Sequence, residues 1–231
     1  MTSLRSRKYL LLTIVLVAVA VLESFTRRAL LGPIFSDAVV ALVLLAVFQV
    51  VFDRRHERAL AFVALAAALA AMLAHYILSG AAEHMLRIAY HALSTVFLGL
   101  AVATILRNVF RQQVIRTDDV LGAVSGYLLA AGAWANLYAF TEALVPGSFA
   151  VASTLEHDLA SWHGRIALFD YFSLVTLTTM GYGDVTPVRP PATAFATLEA
   201  VFGQFYIAVV VAQLVGARLA QPAAGNAASR D

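Results

Sequence analysis

Six long apolar runs are the feature that most restricts how this chain can fold. Each run holds between 14 and 28 residues, and the charged residues collect in the separators between the runs. Crossing the hydrocarbon core of a bilayer takes about 20 mostly apolar residues, or somewhat fewer where flanking residues reach the interface. The runs therefore predict six transmembrane helices, at Tyr9–Leu22, Ala29–Phe52, Ala59–Leu78, Met85–Val109, Val120–Leu144 and Ala192–Leu219.

The overall composition agrees with a chain embedded in lipid. Hydrophobic residue types make up 61% of the 231 residues and charged types make up 13%, which is about half the charged fraction of soluble domains. A single soluble globule of this size would need more polar surface than this chain can supply. A net charge of +2 is too small to indicate a nucleic-acid partner. Because the chain has no cysteine, disulfides and thiolate metal sites are excluded.

Lysine and arginine are distributed unequally between the two sides of the predicted membrane. If Arg107 and Arg87, at the two ends of the fourth span, are counted with the adjoining loops, the N-terminus and the second and fourth loops carry three each, whereas the alternate loops carry one or two. Short cytoplasmic loops are enriched in these residues. We therefore expect a multi-pass protein of the plasma membrane, with both termini cytoplasmic and the long fifth loop facing outward.

The first apolar run has a second interpretation. Arg5, Arg7 and Lys8 precede it, and it contains the small-residue stretch Ala18–Ala20, a pattern typical of a secretory signal peptide. We expect residues 1–22 to include a retained helix, and cleavage would leave the later topology unchanged.

The separator between the fifth and sixth runs differs from the others. It holds 47 residues, 145 to 191, which is too long for a hairpin and too mixed for another span. Within it, Leu168–Thr178 predicts a helix of about three turns, roughly 16 Å, or half a bilayer. A segment that enters only halfway and returns as irregular backbone must be buried in protein or line a water-filled cavity. The sequence thus predicts a re-entrant helix that has either partners or a pore.

The six residues after this helix have the chemistry of a cation site. Backbone carbonyls are neutral oxygen ligands that can replace the water of an ion without trapping it. Aligning successive carbonyls requires backbone angles of alternating hand, and Gly181 and Gly183 supply positive φ at low steric cost. We expect the carbonyls of Thr179, Met180, Gly181 and Tyr182, together with the Thr179 hydroxyl, to hold the ion. The C-terminal end of the preceding helix adds partial negative charge.

This region resembles the potassium-channel family. Tyr171–Pro187, which reads YFSLVTLTTMGYGDVTP, resembles the pore helix, selectivity filter and exit of its two-helix pore module, and the final span resembles the inner helix. The resemblance covers roughly Val120–Ala220, under half of the chain. It implies a homotetramer, since one chain supplies one filter strand and the family's filter needs four. It implies no cofactor, only K⁺ as the bound and permeant ion.

The segment departs from the family pattern at two positions. Met180 stands where the family usually has Val or Ile, and its flexible thioether should pack less rigidly, which leaves the strictness of selectivity open. Val175 stands where some members have an acid that holds the filter-exit Asp. Others use an aromatic donor, so we predict a hydrogen bond from the Tyr171 hydroxyl to Asp184. Thr178 is a further candidate for supporting the filter.

The resemblance and the spans divide the chain into three predicted parts: a four-helix peripheral membrane domain at 1–116, a pore domain at 117–220 and a disordered tail at 221–231. A voltage sensor would need a ladder of basic residues in the fourth span, and that span has only Arg87 and Arg107, near its ends. We expect both to reach the interfaces. The fold class is therefore an all-α, six-span, tetrameric channel that is not strongly voltage-gated.

Several other residues have two interpretations each. His75 and His91 could form a proton sensor, or could be hydrogen-bonded or interfacial. Gly203, in the last span, could be a gating hinge or could allow close helix packing. We interpret Glu142 and Glu199 as partners of backbone or arginine groups behind the filter.

We expect a channel rather than an enzyme, because the middle of the spans has no cluster of acids, histidines or metal ligands. The leading interpretation is a K⁺-selective channel. A weakly selective cation channel is an alternative because of Met180, and a non-conducting or regulatory subunit is another.

Overall fold

The computed structural model describes residues 8–26, 32–52, 54–74, 77–78, 80–111 and 116–219. In these ranges the chain is almost entirely helical, with one 3-10 turn and a two-stranded ribbon. The helices are α1 (Lys8–Thr26), α2 (Gly32–Val51), α3 (Arg55–Ala74), α4 (Ala81–Arg111), α5 (Thr117–Leu144), α6 (Glu156–Ala160), α7 (Trp162–Leu177) and α8 (Pro190–Leu219), and the strands are β1 (Phe149–Val151) and β2 (Val185–Pro187). The predicted tail, 221–231, lies outside the described residues.

The helices account for the apolar runs. Over the described residues, α3, α4, α5 and α8 are long and apolar enough to cross a membrane, and α1 and α2 are apolar over the shorter stretches Lys8–Val21 and Asp37–Val51. The chain is therefore a multi-pass membrane protein, and the count of six spans stays a prediction. Several helices extend past their apolar runs into charged residues, as α3 does at Arg55. Helical hydrogen bonds join backbone groups, so a helix can continue where its side chains become polar at the interface.

The hairpin of α4 and α5 forms the centre of the fold. At most five residues, 112–116, separate the two helices, so they pack against each other within one chain. Phe97 and Ile105 of α4 are buried in one apolar cluster with Ala123 and Leu129 of α5. The short connection thus places the first four helices beside their own α5.

Helix α1 is fastened to the N-terminal half of α5 by polar contacts as well as packing. The Tyr9 amide donates to Asp118 Oδ1 at 3.2 Å, and the hydroxyls of Thr13 and Ser125 lie 2.8 Å apart. The Tyr9 ring lies over Gly122, where a β-carbon would sit 3.2 Å from the ring. A small residue at this position is therefore what lets α1 approach α5.

The all-α prediction is wrong in one respect, because β1 and β2 form a short antiparallel ribbon. Phe149 lies opposite Pro187 and Val151 lies opposite Val185, and the Ala152 amide extends the pairing by donating to the Asp184 carbonyl at 2.8 Å. Strands of three residues carry no readable alternation, and their partners lie more than 30 residues apart. The ribbon ties the chain that leaves the candidate filter to the chain that leaves α5.

The half-length helix α7 is longer than predicted and begins at Trp162 rather than at Leu168. Ser161 caps it, since its hydroxyl accepts from the Gly164 amide at 3.1 Å. Its 16 residues span about 24 Å. The prediction missed the first six residues because they are polar or mixed, and only the cap marks the true start.

Candidate functional site

The backbone after α7 alternates in hand, residue by residue. Thr179, Gly181 and Gly183 have φ of 59°, 58° and 78°, and among the described non-glycine residues only Thr179 has positive φ, so Met180 and Tyr182 do not. The prediction for the two glycines is confirmed. Thr179 was missed, since a β-branched residue in this region is strained by about 1–3 kcal/mol and no pattern in the sequence marks it.

The start of this segment is hydrogen-bonded to the last turn of α7. The amides of Thr178 and Met180 donate to the carbonyls of Leu174 at 3.0 Å and Val175 at 2.9 Å. The Thr178 hydroxyl also donates to the Leu174 carbonyl, at 2.6 Å. This contact ties Thr178 to α7, as expected of a residue that supports the filter. The Thr179 hydroxyl donates to the Thr178 carbonyl at 2.7 Å and keeps its oxygen lone pairs for another partner.

The far end of the segment is held by the predicted hydrogen bond. The Tyr171 hydroxyl donates to Asp184 Oδ2 at 2.7 Å, so this expectation is confirmed. The rings of Tyr171 and Tyr182 are stacked, with centroids 6.4 Å apart and planes 10° apart. One residue of α7 therefore contacts the segment both through its hydroxyl and through its ring.

Glu142, near the end of α5, organises the turn that follows. Its two carboxylate oxygens accept from the amides of Gly147 at 2.8 Å and Ser148 at 2.9 Å. The Gly147 carbonyl in turn accepts from Arg189 Nε at 3.1 Å, just before α8. The predicted backbone partners of Glu142 are confirmed, and they join the chain leaving α5 to the chain entering α8.

Glu199 of α8 has different partners from those predicted. Its side chain is fully buried and accepts hydrogen bonds from the hydroxyls of Tyr138 on α5 and Ser173 on α7. The expectation of backbone or arginine partners is wrong for this residue. Tyr138 and Ser173 were missed, although each is a polar group in an apolar stretch, because a single helix does not show which polar group lies opposite it.

Gly203 lies one turn beyond Glu199 and faces the end of α7. A β-carbon on Gly203 would lie 2.6 Å from the Leu177 carbonyl oxygen and 3.0 Å from the Leu177 α-carbon. Only a residue without a side chain allows this approach. Of the two interpretations, the geometry favours close packing.

Two of the three arginines of α4, Arg87 and Arg107, make ion pairs. Arg87 pairs with Glu83 one turn earlier, and Arg107 pairs with Glu57 of α3 at 2.7 Å. The expectation that both simply reach the interfaces is therefore incomplete, because each has a carboxylate partner. The Arg107 pair joins the ends of α3 and α4 that lie on one side of the bundle.

His91 is buried between α4 and α5 with 1% of its surface exposed. Its Nδ1 lies 3.1 Å from Asn136 Oδ1. Of the two interpretations of His91, this contact favours a hydrogen-bonded residue over a proton sensor. His75 lies outside the described residues.

Two comparisons with known proteins bear on this site. Residues 143–218 match the family model described as an ion channel. The matched segment is similar to an ion channel domain. It runs from the end of α5 through α7 and the candidate filter into α8, inside the predicted pore domain.

A stretch of 55 residues is 44% identical to the inward rectifier potassium channel Kirbac3.1 of Paramagnetospirillum magnetotacticum. The stretch covers 24% of this chain and 18% of that protein, so the likeness is confined to a short part of each. No solved structure gives a significant match. Both matches indicate an ion channel rather than an enzyme.

Proposed function

We propose that this chain is one subunit of a homotetrameric channel that conducts K⁺ passively. The ion ligands in this proposal are the carbonyls of Thr179, Met180, Gly181 and Tyr182 and the Thr179 hydroxyl. The observation that carries it is the alternation of φ at Thr179, Gly181 and Gly183, directly after a helix too short to cross a bilayer. Alternating hand turns successive carbonyls toward one side, which is the arrangement that replaces the hydration shell of a cation.

The electrostatics of α7 support a cation as the permeant species. Its C-terminal end meets the candidate filter at Thr178, and a helix C-terminus carries about half a negative elementary charge. The ligands themselves are neutral, so they stabilise the ion without the tight binding of a carboxylate. Asp184 is held to one side by Tyr171. This combination favours entry of a cation and still allows its exit.

A tetramer supplies the other three filter strands and covers the apolar surface of one chain. Met180 and Tyr182 are 59% and 64% exposed in a single chain. Helix α8 likewise exposes Val201, Phe205 and Val209. Heterologous contacts around a fourfold axis would bury these groups and close the ring. The short link from α4 to α5 indicates that each peripheral domain stays beside its own pore module.

The remaining features complete the proposal. Residues 1–116 form a peripheral membrane domain and 117–220 the pore domain, with six spans and both termini cytoplasmic in the plasma membrane. Gating is not strongly voltage-dependent, because Arg87 and Arg107 lie 20 residues apart on α4 and each is paired with a carboxylate. A sensor needs several charges that cross the field together.

The test is ion flux and selectivity of the purified full chain in liposomes and planar bilayers. We expect K⁺ flux down its gradient, and a reversal potential in mixed K⁺ and Na⁺ close to the K⁺ equilibrium potential. The variant Gly181→Ala places a side chain where the backbone has positive φ and so strains the filter. It should abolish K⁺ flux while the tetramer still forms. A tetramer that passes no ion would refute conduction and indicate a regulatory subunit.

A weakly selective cation channel is the second candidate, because Met180 has a flexible side chain that is 59% exposed in a single chain. Comparable K⁺ and Na⁺ permeabilities would establish it. In that case, Met180→Val should raise the permeability ratio by stiffening the filter wall.

A further inference from the structure

We infer that Glu199 is a positioning residue that locks the inner helix α8 to the pore helix α7 and to α5, and thereby sets the geometry of the filter. The inference rests on the proposed function, because filter geometry is observed through ion selectivity.

The first step is the burial of the carboxyl group and its partners. Glu199, Ser173 and Tyr138 are each fully buried, and the two hydroxyls donate to different carboxyl oxygens, Ser173 to Oε1 and Tyr138 to Oε2. No basic side chain pairs with Glu199 in the part of the chain that the structure describes. A buried polar group without partners is costly, so the three side chains hold one another in one arrangement. Glu199 is the point at which all three pore-module helices meet.

The second step is a contact one turn further along both helices. Ser173 and Leu177 are four residues apart on α7, and Glu199 and Gly203 are four residues apart on α8, so each pair shares one helix face. Gly203 lies against the Leu177 carbonyl, with room for no β-carbon. The two helices are thus joined by a hydrogen bond and by backbone packing on successive turns.

The third step connects this junction to the filter. Leu177 is the last residue of α7, and the amides of Thr178 and Met180 bond back to the carbonyls of Leu174 and Val175. A shift of α7 relative to α8 therefore moves the first carbonyls of the filter directly. No flexible connection lies between Ser173 and Thr179 to absorb such a shift.

The fourth step is a second anchor below the first. The Tyr206 hydroxyl donates to the Ala123 carbonyl of α5 at 2.7 Å, and Gly126 makes room for it, since a β-carbon there would lie 2.6 Å from the Tyr206 oxygen. The stretch from Glu199 to Tyr206, about 10 Å long, is fastened at both ends. Gly203 lies between the two anchors, so bending of α8 at Gly203 would have to break one of them, which favours packing over a hinge at this position.

The experiment compares Glu199→Gln with Glu199→Leu in the full-length channel. Gln keeps the size and can exchange hydrogen bonds with both hydroxyls, whereas Leu can accept from neither. We measure tetramer yield by size-exclusion chromatography and the K⁺-to-Na⁺ permeability ratio in bilayers. We expect Glu199→Gln to keep the ratio within about threefold of wild type, and Glu199→Leu to lower it at least tenfold in the tetramers that form.

Two single-hydroxyl variants cover the case in which Glu199→Leu fails to assemble. Ser173→Ala and Tyr138→Phe each remove one donor, and each should lower the permeability ratio about threefold or more. Ser173→Ala and Tyr138→Phe should also lower the K⁺-to-Na⁺ permeability ratio when they are made in the Glu199→Gln channel. Tyr127→Phe is the matched control, because the Tyr127 hydroxyl has no hydrogen-bond partner among the described residues.

The outcomes separate this inference from the proposed function. Wild-type tetramers that pass no K⁺ would refute the proposed function itself. A conducting wild type whose Ser173→Ala and Tyr138→Phe variants keep the wild-type ratio would overturn the role of Glu199 alone. A role confined to stability would lower the tetramer yield and leave the ratio unchanged, which would also overturn it.

Discussion

The hydroxyl of Tyr171 offers the sharpest single-atom perturbation of the candidate filter. Tyr171→Phe removes the hydrogen bond to Asp184 but keeps the ring that stacks on Tyr182. The change therefore separates the hydroxyl from the aromatic contact. We expect the variant to enter a non-conducting filter state more readily, because the chain leaving the filter loses a bond that restrains it.

The size of the effect can be worked out from the contact. The bond is 2.7 Å long and its acceptor is a carboxylate, a class worth about 1.5–3 kcal/mol. Both side chains are partly exposed, so the lower end, about 1.5 kcal/mol, applies. Because every 1.4 kcal/mol is a factor of ten, the equilibrium between conducting and non-conducting filters should shift about tenfold per subunit.

The assay is single-channel recording in symmetric K⁺, with the fraction of time spent in long closures as the measured quantity. Tyr127→Phe is the control, since it deletes a hydroxyl of α5 that has no partner among the described residues. Closures of Tyr171→Phe and Tyr127→Phe channels that match wild type would refute the restraint. An Asp184→Asn background should reduce the effect of Tyr171→Phe, because the charged acceptor is then absent.

Three other contacts have consequences that can be measured. Gly203→Ala places a methyl carbon 2.6 Å from the Leu177 carbonyl oxygen, so it should destabilise the tetramer by about 1–3 kcal/mol; an unchanged melting temperature would contradict the close packing. Gly183→Ala puts a side chain at a φ of 78°, a strain of about 1–3 kcal/mol, and should abolish K⁺ flux in liposomes; wild-type flux would argue against carbonyl alignment. Glu142→Gln leaves one turn amide without its acceptor, at a cost of about 1–3 kcal/mol, and should lower the melting temperature, whereas the exposed Glu156→Gln should not; equal melting temperatures would show that the turn does not depend on Glu142.

Much of the site was predictable because its signals are local. Gly181 and Gly183 mark positions where only glycine adopts positive φ without strain, and the structure has positive φ at both. The Tyr171 bond to Asp184 was predictable from the resemblance, since it joins residues 13 apart within one compact segment. The start of α7 was missed because its first turns mix polar and apolar residues. The positive φ of Thr179 was missed because nothing local favours it.

The partners of Glu199 show the opposite case. An acid in an apolar span predicts that a hydrogen-bond donor lies nearby in the fold. The donors, Ser173 and Tyr138, lie 26 and 61 residues away in the sequence, on two other helices. Which face of each helix meets the other depends on packing of the whole bundle. The same holds for the pairing of Arg107 with Glu57, which a count of basic residues cannot foresee.

Composition and local patterns were enough to predict the membrane class, the approximate helix positions and the position of the candidate cation site. These follow from residue composition and from local steric preferences, which act within a few residues. The tertiary structure alone decided that Gly203 is a packing position, that Glu199 joins three helices, and that the chain beyond Asp184 pairs with the chain beyond α5. Contacts between distant segments depend on how the helices cross, and crossing is settled only when all the buried surfaces and polar groups are satisfied together.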